Sequence, residues 1–264
     1  DDARAALDRT QPGADTDSRL DVIAADMADD EVASWGEVFS PGVRRALWVG
    51  VGLAVFQQVT GINAIIYYAD RIFDLAGFTT AAEQTTATLF AVGAVNVAAT
   101  FIAVAFVDRF GRRPLLLTGL VGMGVSLTAV GLAFAFLDES ATAGGASSVV
   151  GIITLVSLVV YIASFAFSLG PVVWTVIAEI YPSSIRGRAV SVATAANWAA
   201  AFVVSMTFLN LLDAIGETAT FLLFAVLCAV TFVWIARKVP ETRGKSLEEI
   251  QDVWAEHDAA MGPG

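Results

Sequence analysis

Apolar runs of 18 or more residues recur along this chain, and no other feature constrains its fold as strongly. Six candidate spans fall at roughly 46 to 68, 85 to 107, 115 to 137, 149 to 180 with a break, 189 to 212 and 218 to 236. In hydrocarbon each backbone N–H and C=O must find its partner within the protein. A helix rising about 1.5 Å per residue meets that demand across a core of about 30 Å. The pattern predicts an all-α polytopic membrane protein, with a six-helix transmembrane bundle over residues 44–237. A cytoplasmic segment over 1–43 precedes it and a cytoplasmic tail over 238–264 follows.

Enzyme chemistry finds little support. Cys228 is the only cysteine and His257 the only histidine, which leaves no disulfide, no His/Cys metal cluster and no Ser/His/Asp set. No Asp or Glu lies mid-span. No metal, no cofactor and no nucleic-acid partner is expected. The formal charge is -11, Lys238 and Lys245 are the only lysines, and 11 of the 26 acids fall in residues 1–39. An acid-rich, lysine-poor exposed segment suits a salt-rich cytosol and a halophilic source, with an acidic interaction tail as the competing reading. The polar opening without a starting Met implies a chain that begins inside a longer polypeptide.

With the N-terminus placed in the cytoplasm, 14 of the 15 cations fall on one side and only Arg71 on the other. That is the positive-inside pattern, with both termini of the segment cytoplasmic.

The stretch QQVTGINAIIYY, residues 57–68, puts amides inside the first span. On a continuous helix Gln58 and Asn63 point about 140° apart and cannot serve one ligand. Local unwinding at Gly61 would turn both toward one cavity, provided the freed backbone groups meet protein or water. Unpartnered amides facing lipid would cost roughly 1 to 3 kcal/mol each, so the cluster of Gln57, Gln58 and Asn63 faces inward. It serves there as a ligand site or as interhelical glue, and the same choice applies to Asn96 in the second span. In SLGPVVWTVIAEIYP, Gly170 and Pro171 interrupt the fourth span, and Trp174 follows one turn later. Amides in the plane of a sugar ring with an indole over its C–H face would suit a carbohydrate, and Asn197 and Trp198 of the fifth span extend that mixture. The alternative for Trp174 is an interfacial anchor. Breaks in the first and fourth of six spans occupy equivalent positions in two inverted three-helix repeats, which is a transporter's signature.

Two charged stretches share the cytoplasmic face. VDRFGRRP, 107–114, carries Asp108, Arg109, Arg112 and Arg113; AEIYPSSIRGR, 178–188, carries Glu179 and Arg186. Glu179 could pair with Arg112 or Arg113, and Asp108 with Arg186, as latches between helix ends. Plain topogenic charge accounts for the arginines, though not for the acids among them.

Together these motifs resemble the C-terminal half of the sugar porter family of the major facilitator superfamily. QQVTGINAIIYY resembles its seventh-helix motif, VDRFGRRP its turn between helices eight and nine, and GPVVW with AEIYP and RGR its tenth-helix pattern. PETRGKSLEEI, 240–250, resembles the stretch after helix twelve. The resemblance implies helices seven to twelve of a twelve-helix alternating-access carrier, working with an N-terminal half absent from this sequence. It implies sugar contacts from Gln57, Gln58, Asn63, Asn96, Gly170, Trp174 and Trp198, and an extracellular gate at Tyr67 and Tyr68. It also implies a cytoplasmic salt-bridge network of Asp108, Arg109, Arg112, Arg113, Glu179 and Arg186. Residues 1–40 resemble the helical segment between the halves. Ala201 stands where many members have asparagine, and the acid that couples protons in some members lies on helix one. Sugar preference and symport versus uniport therefore do not carry over. The expected activity is movement of a neutral monosaccharide, hexose or pentose, across the plasma membrane; a sugar sensor that binds without transporting is the alternative.

Overall fold

The computed structural model describes residues 17, 19–20, 34–136, 148–246 and 249–250, without the side chain of Asp108. Most of the expected segment between halves and most of the tail, including His257, lie outside the described residues. Among those described, every regular element is helical.

A short helix α1 (Trp35–Val38) leads in from Ser34, whose N–H donates to the Glu37 carboxylate at 2.8 Å. That bond holds the Glu37 carboxyl below its usual range. Span 1 follows as α2 (Pro41–Val59) and α3 (Ile62–Tyr67), and α4 (Ala69–Leu75) continues beyond it. Span 2 is α5 (Ala81–Thr88), a wider π turn over Leu89–Ala94, and α6 (Val95–Phe110). Span 3 is α7 (Arg112–Phe136), and span 4 is α8 (Val149–Phe167) with α9 (Leu169–Glu179). The last element, α10 (Ser183–Lys238), runs 56 residues but departs from helical geometry at Gly216 (φ 78, ψ 171). At about 1.5 Å per residue it would reach roughly 84 Å if straight, nearly three hydrocarbon cores. Instead the Phe208 and Phe221 rings lie 6.5 Å apart across Gly216, so the chain doubles back. The fifth and sixth expected spans are thus two limbs of one element, and the expected outer loop shrinks to a single left-handed glycine.

Both expected breaks exist, one of them displaced. In span 1, Gly61 adopts φ 96 and ψ 9, a left-handed conformation that costs a residue with a Cβ much more than glycine. In span 4 the break falls at Ser168 (φ -124, ψ -91), and Gly170 lies within the next helix. Pro171 sits in the first turn of α9, where a missing N–H loses no intrahelical bond; its ring would instead clash with the Phe167 carbonyl of a continuous helix.

Each break leaves backbone groups that protein must satisfy. Because the Gly61 N–H donates to Gln58 O, the Gln57 carbonyl accepts from the Thr60 hydroxyl at 2.8 Å. The Thr60 carbonyl accepts from Tyr161 OH of span 4 at 2.9 Å. Buried apolar residues from all six spans form one core, with Leu53, Ile65, Leu120, Met123, Ile162, Val173 and Phe221 each at most 2% exposed. Small residues set the closest approaches: a Cβ on Gly119 would lie 2.9 Å from the Ser164 carbonyl, and one on Gly50 2.0 Å from Tyr181 OH.

Candidate functional site

Unwinding at Gly61 brings the two amides of span 1 into contact. Asn63 Nδ2 donates to Gln58 Oε1 at 2.9 Å, a bond that the 140° separation on a continuous helix would forbid. Gln58 Nε2 donates onward to Asn197 Oδ1 of span 5 at 3.2 Å. Asn197 Nδ2 donates to Gln57 Oε1 and to the Ala54 carbonyl, both at 2.8 Å. Gln57 Nε2 completes the chain by donating to the carbonyls of Leu169 at 2.8 Å and Gly170 at 3.4 Å, just past the span 4 break. One continuous run of amides therefore joins spans 1, 4 and 5.

Its members differ in what they have left to offer. Gln57 and Asn197 are buried, and both ends of each amide are engaged. They hold the broken segments of three spans in register. Asn63 is only half-buried, and among the described residues its Oδ1 accepts no hydrogen bond. A ligand's hydroxyl could donate there without breaking any bond of the network.

The other expected contacts stand apart from the amides. Trp198 follows Asn197 but is 63% exposed, and Trp174 is half-buried against the core; neither hydrogen-bonds to the network. Asn96 lies half-buried on α6, just after the π turn, and its carbonyl accepts from Thr100. Gly170 contributes its carbonyl. Of the two tyrosines, Tyr67 is exposed, while Tyr68 stacks on Phe208 and donates its hydroxyl to the Ser205 carbonyl at 3.2 Å, tying span 1 to span 5.

At the arginine-rich end of the bundle, Arg112 meets Glu179 at 2.7 Å. This is one of the two pairings expected for Glu179. Arg113 turns instead to the carbonyl of Ala236 at the end of span 6. Arg186 donates to the Tyr181 carbonyl and Arg109 is exposed. The expected Asp108–Arg186 pair involves a side chain outside the described residues.

The resemblance covers PETRG without giving its residues a role. Glu241 accepts from the backbone N–H groups of Arg112 and Arg113, at 2.9 and 3.0 Å, and so caps the unsatisfied N-terminus of α7 with a carboxylate. Thr242 donates to the second Glu179 oxygen at 2.6 Å. The stretch after span 6 thereby clamps the start of span 3 to the end of span 4. An acid and a threonine close after the last span were the only signal for this in the sequence. Tyr161 and Thr60 were likewise missed, since nothing in a sequence marks which hydroxyl will reach a freed carbonyl.

The chain's sequence matches the family described as "Sugar (and other) transporter" over residues 1–254. This chain belongs to that family. Within it, the D-xylose transporter of Levilactobacillus brevis is 37% identical over 253 residues, covering 93% of this chain and 53% of that protein. The facilitated trehalose transporter of Bombyx mori is 41% identical over 215 residues, covering 81% of this chain and 41% of that protein. Among solved structures, the inward-open xylose transporter XylE from E. coli superposes with a TM-score of 0.71 at 29% identity, covering 95% of this chain and 49% of that one. The chain thus spans about half the length of the family members it matches, and its six spans have the fold of half a major facilitator transporter.

Proposed function

We propose that the transporter containing this chain moves a neutral monosaccharide across the membrane by alternating access, with Asn63, Gln58 and the neighbouring amides supplying hydrogen bonds to the sugar. The observation that carries this reading is the run of amides joining three spans at two helix breaks. Structural glue alone would be satisfied by its buried members, Gln57, Gln58 and Asn197, yet the run continues to a half-buried amide whose acceptor is unused among the described residues. Relatives named for a pentose and for a disaccharide support sugar as the class of cargo and leave its size to measurement.

The remaining parts take roles consistent with a carrier. Spans 2 and 5 present exposed apolar residues, among them Phe101, Val104, Trp198 and Phe202, which suit contact with a second six-helix half or with lipid. The clamp around Glu179 and Glu241 would hold one access state and release in the other. In this reading its end faces the cytoplasm, in keeping with the arginines gathered there. Labelled-sugar uptake into vesicles containing the full transporter tests the proposal. Equilibration or concentration of unmodified sugar supports a carrier. Binding without flux would make it a sensor, and chemical alteration of the sugar would make it an enzyme.

A further inference from the structure

A second polar link, apart from the amides, crosses between the two broken spans at the point where span 1 changes direction. In a continuous helix the Thr60 carbonyl would accept from the Ala64 N–H. The break at Gly61 turns it toward span 4, where it accepts from Tyr161 OH at 2.9 Å. On its other side the same peptide donates, the Gly61 N–H meeting Gln58 O at 2.9 Å. Tyr161 and Thr60 are each 0% exposed, so neither bulk water nor a sugar reaches this bond. Among the described residues the other hydroxyls of span 4 that donate do so within their own helix, Ser168 to Ser164 and Thr175 to Pro171.

We propose that Tyr161 is a positioning residue for the sugar, acting through Asn63; the inference rests on the reading of Asn63 as a sugar ligand given above. Glycine takes either sign of φ at little cost, so the peptide between Thr60 and Gly61 is free to turn over unless both of its polar ends are held. Thr60 has ψ -12 and Gly61 has φ 96, and those two angles set the plane of that peptide. They also set the start of α3, because the Gly61 carbonyl accepts the Ile65 N–H at 2.9 Å. Asn63 is the second residue of α3, and its amide reaches back across the break to Gln58 at 2.9 Å. A rotated peptide would re-aim α3 and misplace the Asn63 acceptor offered to the sugar. The Thr60 hydroxyl does not prevent this, since it is engaged with the Gln57 carbonyl of its own helix at 2.8 Å. Tyr161 brings its donor from a different span, one that breaks in turn at Ser168. The aim of the amides in span 1 is therefore set in part by span 4.

The test uses the full transporter in vesicles and labelled D-xylose and labelled D-glucose, reading the KM of whichever sugar is taken up. Tyr161→Phe keeps the ring and deletes the hydroxyl; it should raise that KM about threefold, with a smaller change in maximal rate. Asn63→Ala alone should raise KM, and adding Tyr161→Phe to it should raise KM no further, because both act on one contact. Leu120→Ala opens a cavity in the same core and should lower the unfolding temperature with KM unchanged. Gly61→Ala with Phe224→Leu disturbs the same peptide while Tyr161 stays in place, and should raise KM as well. That variant decides the matter should Tyr161→Phe insert poorly. A wild-type KM in Asn63→Ala, or no uptake of either sugar, would remove the reading of the site and this inference with it. Three results would overturn the inference alone and leave Tyr161 as a brace of the fold, each given a raised KM in Asn63→Ala. They are a wild-type KM in Tyr161→Phe, effects that multiply in the double variant, and an equal rise of KM in Leu120→Ala.

Discussion

Gln57 and Asn63 stand at opposite ends of one run of amides, and their removal should have different consequences. Gln57→Ala deletes bonds to Asn197, Leu169 and Gly170 at a site 4% exposed. At about 0.6 kcal/mol per polar contact within a membrane, that is a loss of roughly 2 kcal/mol, visible as a lower thermal unfolding temperature in detergent. Asn63→Ala deletes one bond from a half-buried position, so stability should change by less than about 1 kcal/mol. Its effect should fall on sugar uptake, as a KM raised several-fold with membrane insertion unchanged. Uptake by Asn63→Ala with wild-type KM would remove Asn63 from the site and leave the amides as interhelical glue. Gln58, bonded on both sides, should show both effects in part.

The elements are held by their breaks, and the left-handed glycine and its backbone partner can be tested separately. Gly61→Ala meets two penalties: a positive φ, and a Cβ 2.7 Å from the Phe224 ring. Together they should destabilise the fold by about 1 to 3 kcal/mol. Phe224→Leu in the same background should recover only the steric share. Tyr161→Phe keeps the packing but leaves the buried Thr60 carbonyl without its partner, a loss of about 1 to 3 kcal/mol in thermal unfolding and a looser span 1 break. Much of this was legible in the sequence. Span lengths follow from bilayer thickness, and Gly61 is marked by the amides on either side that only an unwound turn can reconcile. The position of the second break was not, because a proline acts on the carbonyl four residues back and shifts the disruption to Ser168. Nor was the tight fold at Gly216, since flanking Asp213 and Glu217 read as a loop whether the turn takes one residue or five. The amide partners across spans were legible only as residue types, because pairing depends on how the helices rotate against one another.

At the scale of the whole molecule, the clamp at the arginine-rich end is either a permanent strut or a latch that opens during transport, and its geometry makes the two separable. Glu179 receives Arg112 from span 3 and Thr242 from beyond span 6, while Glu241 receives the N–H groups that open span 3. Three helix ends therefore depend on two carboxylates. The Arg112–Glu179 pair is partly exposed, its side chains retaining 11% and 30% of their surface, so solvent screening limits it to about 1 kcal/mol. As a latch, the pair stabilises only the state in which it is formed. Glu179→Gln should then shift the balance of access states about fivefold toward opening at this end. That shift would be read by alkylation of a cysteine placed at Ala178, in a background with Cys228 replaced by serine. Glu179→Gln combined with Thr242→Val should shift it by less than the sum of the single changes, because both act on one carboxylate. A strut is present in every state, and its loss would lower the unfolding temperature without changing the alkylation rate. The rate and the temperature together thus decide whether the stretch after span 6 takes part in the transport cycle or only in the fold.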